Sequence, residues 1–289
     1  MNITELFKNE RQVFSLEVFP PKKDGAFDKI YETLDGLEEV HPDFISVTYG
    51  AGGNTADKKT CQIAGIIKEK HHILPVAHLT CVNTSKEDAR TILSDFRQYG
   101  VENILALRGD INPEREPKKD FRHATDLVKY IKDFGGFDVS GACYPECHAE
   151  APDLDTDIKY LKEKVDAGAT HLISQLFFDN QVFFDFQNKV RQAGIEVPIE
   201  AGIMPVTNKS QIERMVSMCG ASIPQKLSKV MQRYADHPEA LRDAGIAYAV
   251  DQIVELLANG VSGIHLYTMN NPYVAKKIYE STGKLFHGR

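Results

Sequence analysis

Short runs of Val, Ile, Leu and Phe recur along the chain, separated by longer stretches whose apolar residues fall three and four apart. The runs predict strands over 13–19, 44–49, 74–79, 103–108, 138–144, 171–175, 199–203 and 263–266. Between them, patterns such as Leu154, Ile158, Leu161 and Val165 bury one face of a helix. Strand alternating with helix implies parallel strands joined by right-handed crossovers. Eight such strands close a (β/α)8 TIM barrel. The last crossover is longer than the rest, with extra helices predicted over 224–234 and 238–259, and a further helix over 272–282 follows the final strand. No Pro/Ser-rich linker or low-complexity tract interrupts the pattern, so residues 1–289 read as a single domain.

In a barrel of this kind the chemistry gathers where strands end and helices begin. In chain order those ends carry Glu17, Thr48 with Tyr49, His78 with Thr80, Arg108-Gly109-Asp110, Tyr144 to His148, Gln175, Met204, and Tyr267 to Asn271. The opposite ends carry Asp43, Asn103, Asp138 and Pro198, ordinary caps and turn residues.

Glu17 stands out. It interrupts an apolar run that Pro20 and Pro21 end, and a carboxyl held against apolar neighbours is pushed toward its protonated, proton-donating form. The competing reading is a structural carboxylate paired with a Lys or Arg. In Arg108-Gly109-Asp110 a glycine between opposite charges permits close approach of a planar ligand or a phosphate, although a simple loop ion pair explains it as well. Gly50 to Thr55 resembles a dinucleotide fingerprint but places Thr55 at the third glycine position, so a tight turn is the better reading. Asp157 and Lys164 share a helix face with Tyr160 between them, as a solvated surface also would. His78 as a core histidine and Gln175 as a backbone-bonded amide are likewise open.

Composition narrows the partners. A net charge of −7 without a dense Lys/Arg run argues against nucleic acid. No stretch is apolar for long enough to span a bilayer, and the N-terminal residues lack a signal-peptide layout. Five cysteines without framework spacing fit a reducing, cytoplasmic compartment. Cys143, Cys147 and His148 cluster, but a structural zinc site wants four ligands, so no metal is predicted.

Nine segments together carry a resemblance. They are Ser-Leu-Glu-Val-Phe-Pro-Pro at 15–21, Phe-Ile-Ser-Val-Thr-Tyr-Gly-Ala at 44–51, His-Leu-Thr-Cys at 78–81, Leu-Arg-Gly-Asp at 107–110 and Tyr-Pro-Glu-Cys-His at 144–148. Lys-Val-Asp-Ala-Gly-Ala at 164–169, Gln-Leu-Phe-Phe-Asp at 175–179, Gly-Ile-Met-Pro-Val at 202–206 and His-Leu-Tyr-Thr-Met-Asn at 265–270 complete the set. In this order they resemble methylenetetrahydrofolate reductase of the compact bacterial kind. The resemblance implies a barrel that binds FAD noncovalently. NADH or NADPH would reduce the flavin and leave, and the hydride would then convert 5,10-methylenetetrahydrofolate to the 5-methyl product that feeds methionine synthesis, in a ping-pong scheme.

It also implies roles. Glu17 would protonate the departing folate nitrogen, and Asp110 would stabilise the iminium cation. Flavin contacts would come from Thr48, Tyr49, Ala51, His78, Arg108, Gly109, Asp110, Ala124, Tyr144, His148, Ala151, Asp157, Tyr160 and Lys164. Folate contacts would come from Asp110, Gln175, Gln211, Tyr267 and Asn271, with Gln175 also meeting the nicotinamide. Asn271 stands where some bacterial relatives carry an arginine, Glu163 likewise, and Tyr160 replaces an asparagine. A homo-oligomer is implied, and the S-adenosylmethionine-binding regulatory domain of animal and fungal relatives is not expected. The rival readings are a barrel aldolase or lyase, which would need a lysine at a strand end, and a folate- or flavin-binding protein without turnover.

Overall fold

The computed structural model describes residues 1–8, 11–21, 27–49, 54–110 and 116–286. Its strands are β1 (Val13–Val18), β2 (Phe44–Val47), β3 (Leu74–Thr80), β4 (Asn103–Leu107), β5 (Asp138–Cys143), β6 (His171–Ser174), β7 (Ile199–Ile203) and β8 (Gly263–Tyr267). Each pairs in parallel with its sequence neighbours, and β8 pairs with β1 to close the barrel. The helices α1 (Phe27–Glu38), α2 (Asn54–Glu69), α3 (Lys86–Gln98), α4 (Ala124–Phe134), α5 (Leu154–Asp166) and α6 (Asn180–Gln192) each join one strand to the next. Between β7 and β8 come α7 (Lys209–Cys219), α8 (Gln225–Arg233) and α9 (Pro238–Ala258), and α10 (Pro272–Thr282) follows β8. The predicted barrel and its late extra helices are therefore both present. Strand limits differ from expectation by a residue or two. Phe19, Thr48, Tyr49, Arg108, Tyr144 and Gln175 lie just past their strands, where the backbone turns into the loops above the barrel.

Strand geometry sorts the residues. Side chains alternate across a strand, so one set faces the helices and the other the barrel axis. Leu16, Val18, Ile45, Val47, Ala77, Leu79, Ile104, Ala106, Leu172, Ala201, Ile203, Ile264 and Leu266 all join the main apolar core between strands and helices. Burying such side chains contributes about 1.5–3 kcal/mol each for the larger ones. Helix ends are set locally: Ser85 and Asp88 form a reciprocal capping box at the start of α3.

The base of the barrel is closed by a 3₁₀ turn, Ile3–Phe7. Asn103 Oδ1 accepts from Ile3 N at 2.8 Å, and Asp138 Oδ2 accepts from Thr4 N at 3.0 Å. Burial alone would raise the Asp138 carboxyl, but hydrogen bonds from Thr170 and Thr4 outweigh it and hold the group below its usual range. Asn103 and Asp138, predicted as plain caps at this end, thus anchor the N-terminal segment. No helix among the described residues is long and apolar enough to cross a membrane.

Candidate active site at the carboxyl face of the barrel

Glu17 is the fifth residue of β1 and points toward the axis, opposite Ser46 on β2 and Tyr267 on β8. Its strand end is tied to the chain beyond β8. Thr268 Oγ1 donates to the Glu17 carbonyl at 2.7 Å. The Asn270 amide brackets Phe19, accepting from its N–H at 3.0 Å and donating to its carbonyl at 2.8 Å. Met269 and Asn270 adopt left-handed φ values of 52° and 54° to make this turn, a conformation non-glycine residues hold only where surrounding contacts enforce it.

The surroundings of Glu17 correct the sequence picture. Val18 is wholly buried and packs in the outer core, so the apolar neighbours in sequence are not those in space. Facing Glu17 Oε2 instead are His78 Nε2 at 3.6 Å and His265 Nε2 at 3.9 Å. Among the described residues its ion-pair-range neighbours are these imidazoles, not the Lys or Arg of the structural reading. Burial, with help from His265 and against Glu17, pushes His78 down to about 4, so its ring is neutral at neutral pH.

Glu17 borders a cavity of about 480 Å³ at the carboxyl face. Thr48, Tyr49, His78, Arg108, Gly109 and Asp110 line one side of it, and Tyr144, His148, Gln175 and Tyr267 continue the wall. Met204, Met215, Met218, Cys219 and Met269 supply a sulfur-rich apolar flank. Several polar atoms here lack a protein partner: Arg108 Nε, Asn83 Oδ1 and His78 Nε2 are buried without a hydrogen bond. Arg108 does contact Glu150 through Nη1 at 3.1 Å. Gly109 sits at φ 83°, and a β-carbon there would meet Thr80 at 2.8 Å, so only glycine lets this loop lie against β3. Burial and Arg108 together lower His148.

Tyr267 is fixed by its O–H donating to the Ser174 carbonyl at 2.7 Å, and burial raises it well above the phenol range. Gly202 makes that approach possible, since a β-carbon there would fall 2.2 Å from the same carbonyl oxygen. Gln175 Oε1 accepts from Leu176 N at 2.9 Å, and its own N–H donates to Cys143 O at 2.7 Å.

The remaining sequence candidates stand outside this wall. Asp157 Oδ2 accepts from His148 N at 2.9 Å and so shapes the loop after β5. Lys164 Nζ donates to Ala142 O at 2.7 Å, and burial lowers its pKa. The face they share is thus turned to the β5 end rather than to solvent, whereas Tyr160 on the same helix is 52% exposed. Ala124 opens α4, Ala151 N donates to His148 O at 2.9 Å, Gln211 lies in the first turn of α7, and Asn271 caps α10 by accepting from Val274 N at 3.3 Å. Gly50 to Gly53 of the predicted turn, including Ala51, lie outside the described residues. The sequence reading missed Asn83 and the inward-facing Ser15, Ser46, His171, Glu200 and His265. A signal was there, since polar residues recur at every second position in Ser15/Glu17 and His265/Tyr267.

The family model for methylenetetrahydrofolate reductase matches residues 2–283. The 5,10-methylenetetrahydrofolate reductase of Pectobacterium carotovorum subsp. carotovorum is 36% identical over 93% of this chain and 89% of its own. That of Escherichia coli (strain K12) is 35% identical over 93% of this chain and 90% of its own. Methylenetetrahydrofolate reductase (NADH) 1 of Arabidopsis thaliana is 37% identical over 93% of this chain, which spans 48% of that protein. Among solved structures, an uncharacterized protein from Clostridium thermocellum, described as binding two copies of 5-methyl-5,6,7,8-tetrahydrofolic acid, shares the fold with a TM-score of 0.67 at 15% identity, covering 99% of both chains. With the ordered segments, the closed barrel and the bacterial relatives all in agreement, the chain belongs to the methylenetetrahydrofolate reductase family and is an oxidoreductase that reduces methylenetetrahydrofolate with NAD(P)H.

Proposed function

We propose that this reduction runs through FAD in two half-reactions at the carboxyl face of the single barrel, with Glu17 as the proton donor of the second. The residues present fit that cofactor. A cavity of about 480 Å³, an unpartnered Arg108 Nε on its wall that can donate to an anionic phosphate, an unpartnered Asn83 Oδ1 that can accept from a ligand N–H or hydroxyl, and a loop at Gly109 that no side chain could enter suit a flat ligand bearing phosphates. Thr48, Tyr49, Arg108, Gly109, Tyr144 and His148 would hold it from the cavity wall, with Asp157 and Lys164 setting the loop after β5. FAD, when bound, supplies hydride relay from NAD(P)H to the one-carbon unit.

The chain's own residues supply the rest. When the five-membered ring of the folate opens, the leaving nitrogen needs a proton, and Glu17 faces the cavity with no Lys or Arg in ion-pair range among the described residues. The neutral His78 ring beside it does not stabilise an ionised carboxylate as an imidazolium would. Asp110, exposed at the cavity rim, balances the iminium charge on the folate. Gln175 and Tyr267 orient the pterin, and the methionine flank packs against aromatic rings.

The observation that carries this reading is the position of Glu17 on the cavity between two imidazoles. Glu17→Gln should leave flavin bleaching by NAD(P)H under anaerobic conditions near wild-type rates and slow reoxidation by methylenetetrahydrofolate about 10²–10⁴-fold. Equal losses in both half-reactions would remove Glu17 from the acid role.

A further inference from the structure

Below Glu17, one side of the barrel interior is polar almost to its base. Ser15, two residues earlier on β1, faces the same way, with its Oγ 2.7 Å from Glu200 Oε1 on β7 and 2.6 Å from His265 Nδ1 on β8. The other ring nitrogen, His265 Nε2, lies 3.9 Å from Glu17 Oε2 and 3.4 Å from Ser46 Oγ. On its far side Glu200 Oε2 is 2.8 Å from His171 Nε2, whose Nδ1 lies 3.0 Å from Ser140 Oγ. Ser15, Glu200, His265 and His171 are all 0% exposed, and Phe7 stacks on His171 to close the base. The column is therefore buried along its length and meets the cavity at Glu17.

Counting protons along it fixes a direction. A hydroxyl has one proton, and a carboxylate only accepts. With Glu200 ionised, Ser15 donates to Oε1 and meets His265 Nδ1 as an acceptor, so that nitrogen carries the ring proton. In the neutral ring Nε2 is then a lone pair turned toward Glu17. A protonated Glu17 can donate to it, directly or through a water, whereas an ionised one is repelled. The other titratable groups facing Glu17 are His78, whose ring burial keeps neutral, and the Tyr267 phenol, held in its O–H form. Facing Glu200 Oε2 is His171 Nε2, 2.8 Å away.

Resting on the reading of Glu17 as the acid, we propose that Glu200 is a positioning residue. Through Ser15 it imposes the Nδ1–H tautomer on His265 and thereby keeps Glu17 protonated where folate is reduced.

In Glu200→Gln the side-chain amide also donates, which frees the Ser15 proton to turn toward His265 Nδ1 and moves the ring proton to Nε2. The test is ¹⁵N NMR of histidine-labelled holoenzyme together with pH profiles of the two half-reactions. Wild type should show His265 as the Nδ1–H tautomer. Glu200→Gln should shift it toward Nε2–H and move the alkaline limb of the methylenetetrahydrofolate half-reaction down by about one pH unit, leaving the NAD(P)H profile in place. Ser15→Ala, which cuts the link but keeps the Glu200–His171 contact, should move the same limb in the same direction. An Nε2–H tautomer in wild type, an unmoved limb in both variants, or equal movement in both half-reactions overturns the proposal. The tautomer is read without turnover, so its failure is distinct from that of Glu17 itself, which Glu17→Gln reports.

Discussion

The two sides of the same eight strands have different chemistry. Outward-facing positions such as Leu16, Val18, Ile45, Leu79, Ile203 and Leu266 are aliphatic and packed against helices. Inward-facing ones include Ser15, Glu17, Ser46, His78, Ser140, His171, Glu200 and His265. Part of the interior does follow the outer rule: Phe44, Val76, Leu105 and Ile173 form a separate apolar cluster with Ile3. The polar column runs on the β1, β7 and β8 side, under Glu17. Buried polar groups of this kind are weak sources of stability and strong sources of specificity in placing protons. The outer face makes the barrel stand, and the chemistry proposed for it falls on one sector of the inner face.

Neighbours in sequence should therefore fail in different ways. The largest effect is that of Glu17→Gln on the folate half-reaction, with little change in unfolding midpoint because the side chain is only partly buried. Next comes Leu16→Ala, one residue away and wholly buried in the outer core. It should cost about 2–5 kcal/mol of stability by denaturant unfolding, while the folded fraction keeps the wild-type pH profile. A pH profile altered by Leu16→Ala at full folding would dissolve the division between the two faces.

How much of this was legible in sequence follows the same line. Outer positions announce themselves because every strand must present aliphatic side chains to helices, and this is why the strands were placed within two residues of their observed limits. Glu17 was visible as a lone charge in such a run. Glu200 was not, although it too sits within a strand, because nothing local says that Ser15 and His265, 185 and 65 residues away, close around it. Met215 and Met218, which α7 brings to the cavity, were equally hidden, since the sequence reading drew no helix over 209–219. Asp157 and Lys164 were paired by helical spacing, but their bonds to His148 and Ala142 depend on where β5 ends.

A mid-sized effect concerns acid. His78 is neutral when folded, with its pKa lowered to about 4 from 6.5. Between those values the unfolded chain binds a proton that the folded one does not, so this group's contribution is complete above about 6.5 and is lost as pH falls toward 4. The loss approaches roughly 3 kcal/mol at the acid end. His78→Asn should flatten the stability profile in that window while leaving the neutral-pH outer core unchanged. Urea unfolding at several pH values measures this, and an equally steep decline in the variant would mean that His78 is not the group that takes up the proton.

The smallest effect tests the border between the two faces. Asn271 follows β8 and matches a folate-contacting position by resemblance, yet its side chain accepts from Val274 N and caps α10, which packs on the outer side near α1 and α9. A cap of this kind contributes about 1 kcal/mol. Asn271→Ala should therefore lower stability by that amount and leave the KM for methylenetetrahydrofolate unchanged, whereas Asn271→Asp, which caps equally well, should restore the stability. If KM rises in both variants while stability holds, Asn271 works for the inner face, and the functional sector extends one turn beyond the strand into the helix that follows it.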